Sequence, residues 1–362
     1  MSTTNPPDFK MTLGGVDFSS PEMAKRVVEI EVECVADGPD SFKVSLDDRD
    51  DYFTKSQKIK EGDSAKIELG YHREGTNEVV QGIITGVESF RREYRRQLFV
   101  VRGFDGMQAL SRGRHRRSWE KIKDSDIAQI LAGEAGLGCD ADDSGIIHPY
   151  VAQNNVTNMD FLFERAKRIG FEVDVEGRNL RFKKPEVSGP VCDLIWDENN
   201  IGGAATGGGR LLKRCQFASS TMGVVDEVVV RGYDPKTRKE IIGRAKDVHG
   251  QTMGGNKTGP EYAAANNPAT VIQVSNQPVA SCEEAEKLAW SILNERAGNF
   301  MSGFGASEGD GRIKAGKTVK IDAIGTEMDG EYYVTRAVHK LRIGAGPGNG
   351  YLTEFEIRRS GR

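Results

Sequence analysis

Residues 61–70 read EGDSAKIELG, and residues 315–325, near the other end of the chain, read AGKTVKIDAIG. Each has a glycine (Gly62, Gly316), a hydroxyl side chain two positions on (Ser64, Thr318), then a Lys-Ile pair (Lys66-Ile67, Lys320-Ile321) and a closing glycine (Gly70, Gly325). In the first copy Ile67, Leu69 and Tyr71 alternate with their neighbours, a period of two that only an extended chain sorts into a dry and a wet face. The segments C-terminal to each copy repeat as well. VQGIITGV (80–87) resembles MDGEYYVTRAV (328–338), and the returning segment LFVVRG (98–103) resembles LTEFEIRR (352–359), in the same order. The pattern predicts two related antiparallel β units in one chain. Three such chains would present six units, with exact three-fold and approximate six-fold symmetry.

Around the first copy the same period continues. Val28, Ile30, Val32 and Cys34 alternate with Glu29, Glu31 and Glu33, so one face of this strand is strongly acidic, and 79–88 and 97–104 are rich in β-forming residues. We read residues 1–118 as a first tube-like β-barrel domain. From Lys121 the period becomes helical: Asp124 or Ser125 is placed to cap a helix with an apolar stripe of Ile127, Ile130 and Leu131, closed by Gly136. Thr157 caps a second helix carrying Met159, Leu162, Phe163, Ala166 and Ile169, with Gly170 where left-handed backbone is needed. A hairpin turning at Glu176-Gly177-Arg178-Asn179 completes a small α+β module over 119–186.

Residues 187–362 read as a second β-barrel domain, with strands around 211–218, 226–233, 238–246, 317–324, 331–340 and 351–358. It carries a loop rich in Gly, Asn and Pro at 249–270 and a helix over 281–298, announced by the Ser281/Glu284 capping box ahead of Ala285, Leu288, Ala289, Ile292 and Leu293. The fold class expected is therefore mainly β with α+β insertions: two related tube-like antiparallel barrels joined by a small module.

The length fits this division, since 362 residues at roughly 150 per domain give two to three domains. No apolar run approaches the roughly 18–20 residues of a membrane-spanning helix, so no membrane insertion is expected. MSTTNPPDFK has no basic segment followed by an apolar one, and does not read as a secretory signal. Five dispersed cysteines without a C-x-x-C pair argue against both a disulfide framework and a structural zinc site.

Charge is uneven. Between Arg91 and Arg117 nine arginines stand against Glu93 and Asp105, a local +7 that leaves −11 on the remainder of a chain whose net charge is −4. That balance argues against specific nucleic-acid binding. The two clusters, RREYRR with Arg91, Arg92, Arg95 and Arg96, and RGRHRR with Arg112, Arg114, Arg116 and Arg117, read either as solvated segments or as contacts to an acidic partner. A neighbouring copy of the chain is one such partner.

No catalytic pattern stands out. The five histidines (His72, His115, His148, His249, His339) have no H-x-x-x-H spacing, and His339 fits a structural place in a strand. The glycine run 202–209 lacks a following Lys-Ser/Thr, and no G-x-S-x-G elbow occurs. No catalytic residue, metal ligand or cofactor is assigned, and the chain is not expected to be an enzyme.

Several segments, in order, resemble the phage late control protein D family, whose fold is shared by contractile-tail hub proteins and by the N-terminal part of the valine-glycine repeat spike proteins of type VI secretion. They are DSFKVSLDD (40–48), EGDSAKIELGY (61–71), QGIITGVE (81–88), VVRGFDGMQALSRGRHRRSWE (100–120), DSDIAQILAGEAGL (124–137), VTNMDFLFERAKRIGFEVDVEGRNLRF (156–182), VVVRGYDPKTRKEIIG (228–243) and DGEYYVTRAVHKL (329–341). The likeness covers most of the chain and is most specific over 156–182. It implies a homotrimeric baseplate hub, a symmetry adaptor that initiates the six-fold inner tube above, meets a three-fold spike below and encloses a channel. Because the sequence ends at Arg362 directly after its last strand, it implies a separate spike protein, with other baseplate proteins as further partners. It implies synthesis in the bacterial cytoplasm and incorporation into a virion tail or a phage-derived contractile injection particle.

In that reading Glu29, Glu31 and Glu33 face the lumen and the arginine segments bind neighbours. Two competing readings stay open. One is a tail-associated peptidoglycan hydrolase, which requires two carboxylates across a cleft; the other is a glycan- or receptor-binding baseplate module using the 249–270 loop.

Overall fold

Strand β3 (Val27–Val35) shows how the alternation is used: Ile30, Val32 and Cys34 are at most 1% exposed, while Glu29, Glu31 and Glu33 lie on the opposite, half-exposed face. This computed structural model describes residues 5–91, 97–185, 189–197, 209–246, 257–264, 269–325, 327–344 and 349–362. Before β3 come β1 (Pro7–Leu13), β2 (Val16–Asp17) and the short helix α1 (Pro21–Ala24). After it come β4 (Ser41–Asp47), helix α2 (Tyr52–Ser56), β5 (Ser64–Tyr71), the long β6 (Gly75–Phe90) and β7 (Leu98–Asp105). All strand pairs among them are antiparallel.

Next along the chain are β8 (His115–Ile122), α3 (Asp124–Glu134), β9 (Gly138–Ala141), β10 (His148–Val156), α4 (Asn158–Ile169), β11 (Glu172–Glu176) and β12 (Asn179–Lys183). These elements share a core of their own, centred on Ile127, Leu131, Phe161, Leu162, Leu180 and Phe182. The division expected at 118 falls inside β8, which pairs with β10 and so lies with the module. Helix α4 is bounded as its sequence predicts: Thr157 Oγ1 accepts from the Asp160 amide at 3.0 Å, and Gly170 takes φ +70°. Helix α3 differs in detail. Lys123 is its N-cap, Asp124 turns inward, and Ile130 is 40% exposed while Ala128 and Ala132 take the buried places beside Ile127 and Leu131. The predicted hairpin forms, with Glu176 opposite Asn179 and Gly177 at φ +62°.

The rest of the chain supplies β13 (Asp193–Ile195), β14 (Arg210–Ser219), β15 (Glu227–Asp234), β16 (Lys239–Ala245), α5 (Gly259–Ala264), β17 (Val271–Val274), α6 (Cys282–Gly298), β18 (Met301–Glu308), β19 (Thr318–Asp322), β20 (Gly330–Arg342) and β21 (Gly350–Arg359). Six of these strands close a barrel in the order β19-β13-β14-β18-β21-β20, with β20 returning to β19. The segments at 226–233 and 238–246 do not enter it. They form a separate sheet, β16-β15-β17, covered by α6, because their buried valines meet Ala285, Leu288, Ala289 and Leu293 rather than the barrel interior. Of the 249–270 loop, residues 249–256 and 265–268 lie outside the described residues, as do 202–208 of the glycine run.

The duplication seen in the sequence is a duplication of topology. In the first half β3, β4, β7, β6 and β5 are neighbours in that order; in the second half β14, β18, β21, β20 and β19 are. Numbered along the chain, both are strands 1-2-5-4-3. Irregularities repeat too: the β3/β4 register shifts at Val28 and the β14/β18 register at Lys213, while β6 shifts against β7 at Thr85 and β20 against β21 at Thr335. The halves differ at their outer strand, since β5 pairs antiparallel with β1 whereas β19 pairs parallel with β13. One 13-stranded sheet joins them through β20 and β3, and one buried cluster spans both, from Leu13 and Ile67 to Val334 and Ile357.

Candidate functional site

The junction of β20 with β3 builds a continuous outward face that the single strand does not reveal. Arg342 Nε donates to Glu29 Oε1 at 2.6 Å and Arg336 Nε to Glu33 Oε1 at 2.6 Å; Glu31 has Lys340 as its cross-strand neighbour on one side and Lys43 on the other. Farther out, Lys340 and Arg214 both reach Glu354, at 2.6 and 2.7 Å, and Arg102 reaches Glu88 at 3.0 Å. The expected acidic face is therefore charge-balanced, because each glutamate of β3 faces a basic residue on an adjoining strand. Exposed pairs of this kind contribute about 0–1 kcal/mol each, so they order and hydrate the face more than they stabilise it.

The arginine segments divide. Arg91 Nη2 donates to Asp51 Oδ1 at 2.8 Å, and Arg92, Arg95 and Arg96 lie outside the described residues. Arg117 is engaged within its own module: it donates to Gln153 at 2.8 Å, to both oxygens of Glu134 at 2.7 and 2.8 Å and to Asn158 at 2.8 Å, and its guanidinium lies 5.1 Å from the Trp119 ring. It is thus a structural residue rather than a free contact. Arg112, Arg114 and Arg116 are exposed, Arg114 donating to the Asn155 carbonyl at 3.2 Å and Arg116 standing opposite Asn154 on the outer side of β8.

A second constellation left no mark in the sequence. Arg165 of α4 grips Asp124 with Nε at 2.5 Å and Nη2 at 3.1 Å, and His148 Nε2 lies 3.0 Å from the same carboxylate. His148 Nδ1 is 3.6 Å from Glu284 of α6, which also accepts from Arg168 Nη2 at 3.0 Å. Burial by itself would raise the Asp124 carboxyl, but the hydrogen bonds from His148 and Arg165 outweigh it and hold it below the usual range. All five groups are no more than 8% exposed, so the network clamps the module to α6 from within. Its members lie too far apart in the chain for spacing to reveal it.

Two further acids, the buried Asp105 and the half-buried Asp40, sit beside the β4/β7 pair. Burial pushes Asp40 up to about 6, and burial together with the Asp40 charge pushes Asp105 up to about 8. His339 lies fully inside the second barrel, its Nδ1 within 3.1 Å of Thr353 Oγ1 and 3.0 Å of the Tyr351 hydroxyl, in the structural place its strand predicts. Among the described residues no group of three or more His, Cys, Asp or Glu side chains is arranged to hold a metal ion, and no helix is long and apolar enough to cross a membrane.

Comparison with known proteins places this architecture. A family model described as the Alg8 N-terminal domain matches residues 25–342. No curated protein matches the sequence. Among solved structures, the 43 kDa tail protein of prophage MuSo2 from Shewanella oneidensis is similar with a TM-score of 0.69 at 13% identity, over 98% of each chain. A tail protein from Neisseria meningitidis MC58 gives 0.66 at 14% identity, over 98% of this chain and 96% of its own. An E. coli component of the type VI secretion system, described as structurally similar to the T4 bacteriophage tail proteins gp27 and gp5, gives 0.54 at 11% identity, over 93% of this chain and 74% of its own. The fold is that of the phage tail hub proteins, as the sequence resemblance implied.

Proposed function

The chain belongs to the Alg8 N-terminal domain family, and from that membership and its duplicated topology we propose that it is a structural hub of a contractile phage tail or phage-derived injection particle. Three copies form a ring whose six tube-like units sit beneath a six-fold inner tube, while the exact three-fold axis matches a spike below. Strands β1–β7 and the barrel strands β13, β14 and β18–β21 supply the two units of each copy, and the elements from β8 to β12 the module between them. The observation that carries this reading is the recurrence of one five-strand order, with two bulges at matching places, in the two halves. A repeated unit of this kind lets a three-fold object present six nearly equivalent surfaces.

In this reading the charge-balanced face around Glu29, Glu31 and Glu33 lines the channel. A lumen in which each acid has a basic neighbour offers passing cargo no net field to adhere to. Arg112, Arg114 and Arg116 bind acidic surfaces of neighbouring baseplate proteins. What the similar solved structures support is the coarser role in a tail or baseplate: two are tail proteins, one is a secretion-system component, and a fourth, at TM-score 0.51 and 7% identity, belongs to a Francisella PdpA-VgrG complex. The test is the mass of the purified chain by light scattering over a range of concentrations. A trimer is expected, and a monomer throughout overturns the reading.

A further inference from the structure

The two halves of the chain meet along one seam, and the topology leaves open the two edges that would make the same seam between copies. In the internal seam the C-terminal part of β20, strand 4 of the second half, pairs with β3, strand 1 of the first, with Val338 opposite Glu33 and Lys340 opposite Glu31. The corresponding edge of β6, strand 4 of the first half, is open at its end: β5 pairs with its residues 75–83, Ile84 exchanges backbone hydrogen bonds with Gly62 and Asp63, and β7 takes the opposite edge, so residues 85–90 have no strand partner on the β5 side among the described residues, the Ser89 hydroxyl alone reaching Thr54 Oγ1 at 3.3 Å. The matching edge of β14, strand 1 of the second half, is free beyond Arg210 and Leu211, which pair with β13, among the described residues. Unpaired edges of this length bind another strand unless something blunts them.

Matching the bulges fixes the equivalence of positions. Thr85 corresponds to Thr335, so Glu88 corresponds to Val338 and Phe90 to Lys340. Lys213 corresponds to Val28, so Gln216 corresponds to Glu31 and Ala218 to Glu33. The side chains on the two sets of strands differ in kind. Across the internal seam, Lys340, Glu31 and Lys43 form one charged row on β20, β3 and β4. At the open edges the equivalent places hold Phe90, Gln216 and Phe304, and the two phenylalanines are 45% and 48% exposed.

We propose that β6 of one copy pairs antiparallel with β14 of the next, with Glu88 opposite Ala218 and Phe90 opposite Gln216, and that Phe90 and Phe304 seal this seam where the internal one uses ion pairs. The proposal rests on the trimeric reading above and adds the register and chemistry of the contact. It gives the exposed Phe90 and Phe304 side chains a surface to cover them. Backbone hydrogen bonds supply the pairing, and the phenylalanines cover Gln216 from both sides.

The test is a disulfide between copies. In a chain carrying Cys282→Ser, to remove the exposed native thiol, Glu88→Cys and Ala218→Cys are introduced together and the protein is oxidised. A covalent trimer on a non-reducing gel is expected from the pair, none from either single variant, and little from Glu88→Cys combined with Gln216→Cys, which is two positions out of register. Phe90→Asp with Phe304→Asp is expected to lower the trimer fraction at least about tenfold while leaving the circular dichroism of the chain unchanged. The trimer is expected to persist to about 1 M salt, where charge interactions are screened within about 3 Å. A trimeric mass without the cross-link, or a trimer that salt dissolves, overturns this seam and leaves the hub reading standing. A monomer overturns both.

Discussion

Thr85 and Thr335 stand at the same bulge in different halves of the chain, each the residue at which a long strand shifts register against its returning neighbour. A bulge adds local twist and bends a strand, so its recurrence gives β6 and β20 the same bend at the same point. In the proposed ring, this shared bend would let β6 meet the next copy as β20 meets β3 within the chain.

The second unit also meets the module through a partly buried hydrogen bond. The Tyr333 hydroxyl donates to Glu172 Oε1 at 2.6 Å, linking β20 to β11. Burial and the adjacent carboxylate keep the Tyr333 hydroxyl protonated, and burial also raises Glu172. Tyr333→Phe leaves that carboxyl group without its donor and is expected to cost about 1–3 kcal/mol in urea unfolding. An unchanged midpoint and slope would show that the module docks without this bond.

Acid and base act on opposite groups. His339 is held neutral by burial, with Lys314 adding to the effect, and its ring is pushed down to about 4 from an ordinary 6.5. Its stabilising contribution is thus complete above about pH 6.5 and disappears as pH falls through about 4. Asp40 and Asp105 work in the other direction: they are stabilising when neutral, and that contribution is lost as pH rises from the ordinary carboxylate value of 3.8 through about 6 and about 8. Asp105→Asn, which keeps an oxygen for the Met107 amide now held at 3.1 Å, is expected to raise the melting temperature at pH 8 and leave it unchanged at pH 4. A melting curve displaced equally at both pH values would contradict this assignment.

Neighbouring arginines should behave differently. Arg117→Ala removes hydrogen bonds to three residues and the cover over Trp119, and is expected to destabilise the chain by about 1–3 kcal/mol. Changing Arg112, Arg114 and Arg116 together to alanine is expected to shift stability by no more than about 0.5 kcal/mol, since all three are exposed. Calorimetry on the two variants separates the roles, and equal losses would refute the division.

The clamp between module and α6 predicts a larger effect. Arg165→Ala leaves Asp124 buried at 1% exposure with His148 as its remaining neighbour in the network, and is expected to cost about 3–5 kcal/mol. Limited proteolysis should then cut within 119–186 faster than in the unchanged chain.

Much of the fold was legible because local rules decide it. The alternation of Ile30, Val32 and Cys34 with three glutamates, the Thr157 and Ser281 caps and the left-handed Gly170 all depend on neighbours within a few positions. The duplication was legible because it is carried by a leading glycine, a hydroxyl residue and a Lys-Ile pair at the same spacing in both copies. The features that escaped depend on partners distant in the chain. The bases flanking Glu29 and Glu33 come from residues about 300 positions away, the Asp124 network joins four elements, and the segments at 226–233 and 238–246 have ordinary strand patterns that do not say which sheet they enter. Ile130 fits the helical period of α3, yet the side of the helix it occupies remains 40% exposed.

The most direct measurement of the central claim is the rotational symmetry of the isolated assembly in electron-microscopic views down its axis. A ring with exact three-fold symmetry and six nearly equal lobes at low resolution is predicted. A ring of any other multiplicity, or three lobes with no second set of matching size between them, would contradict it.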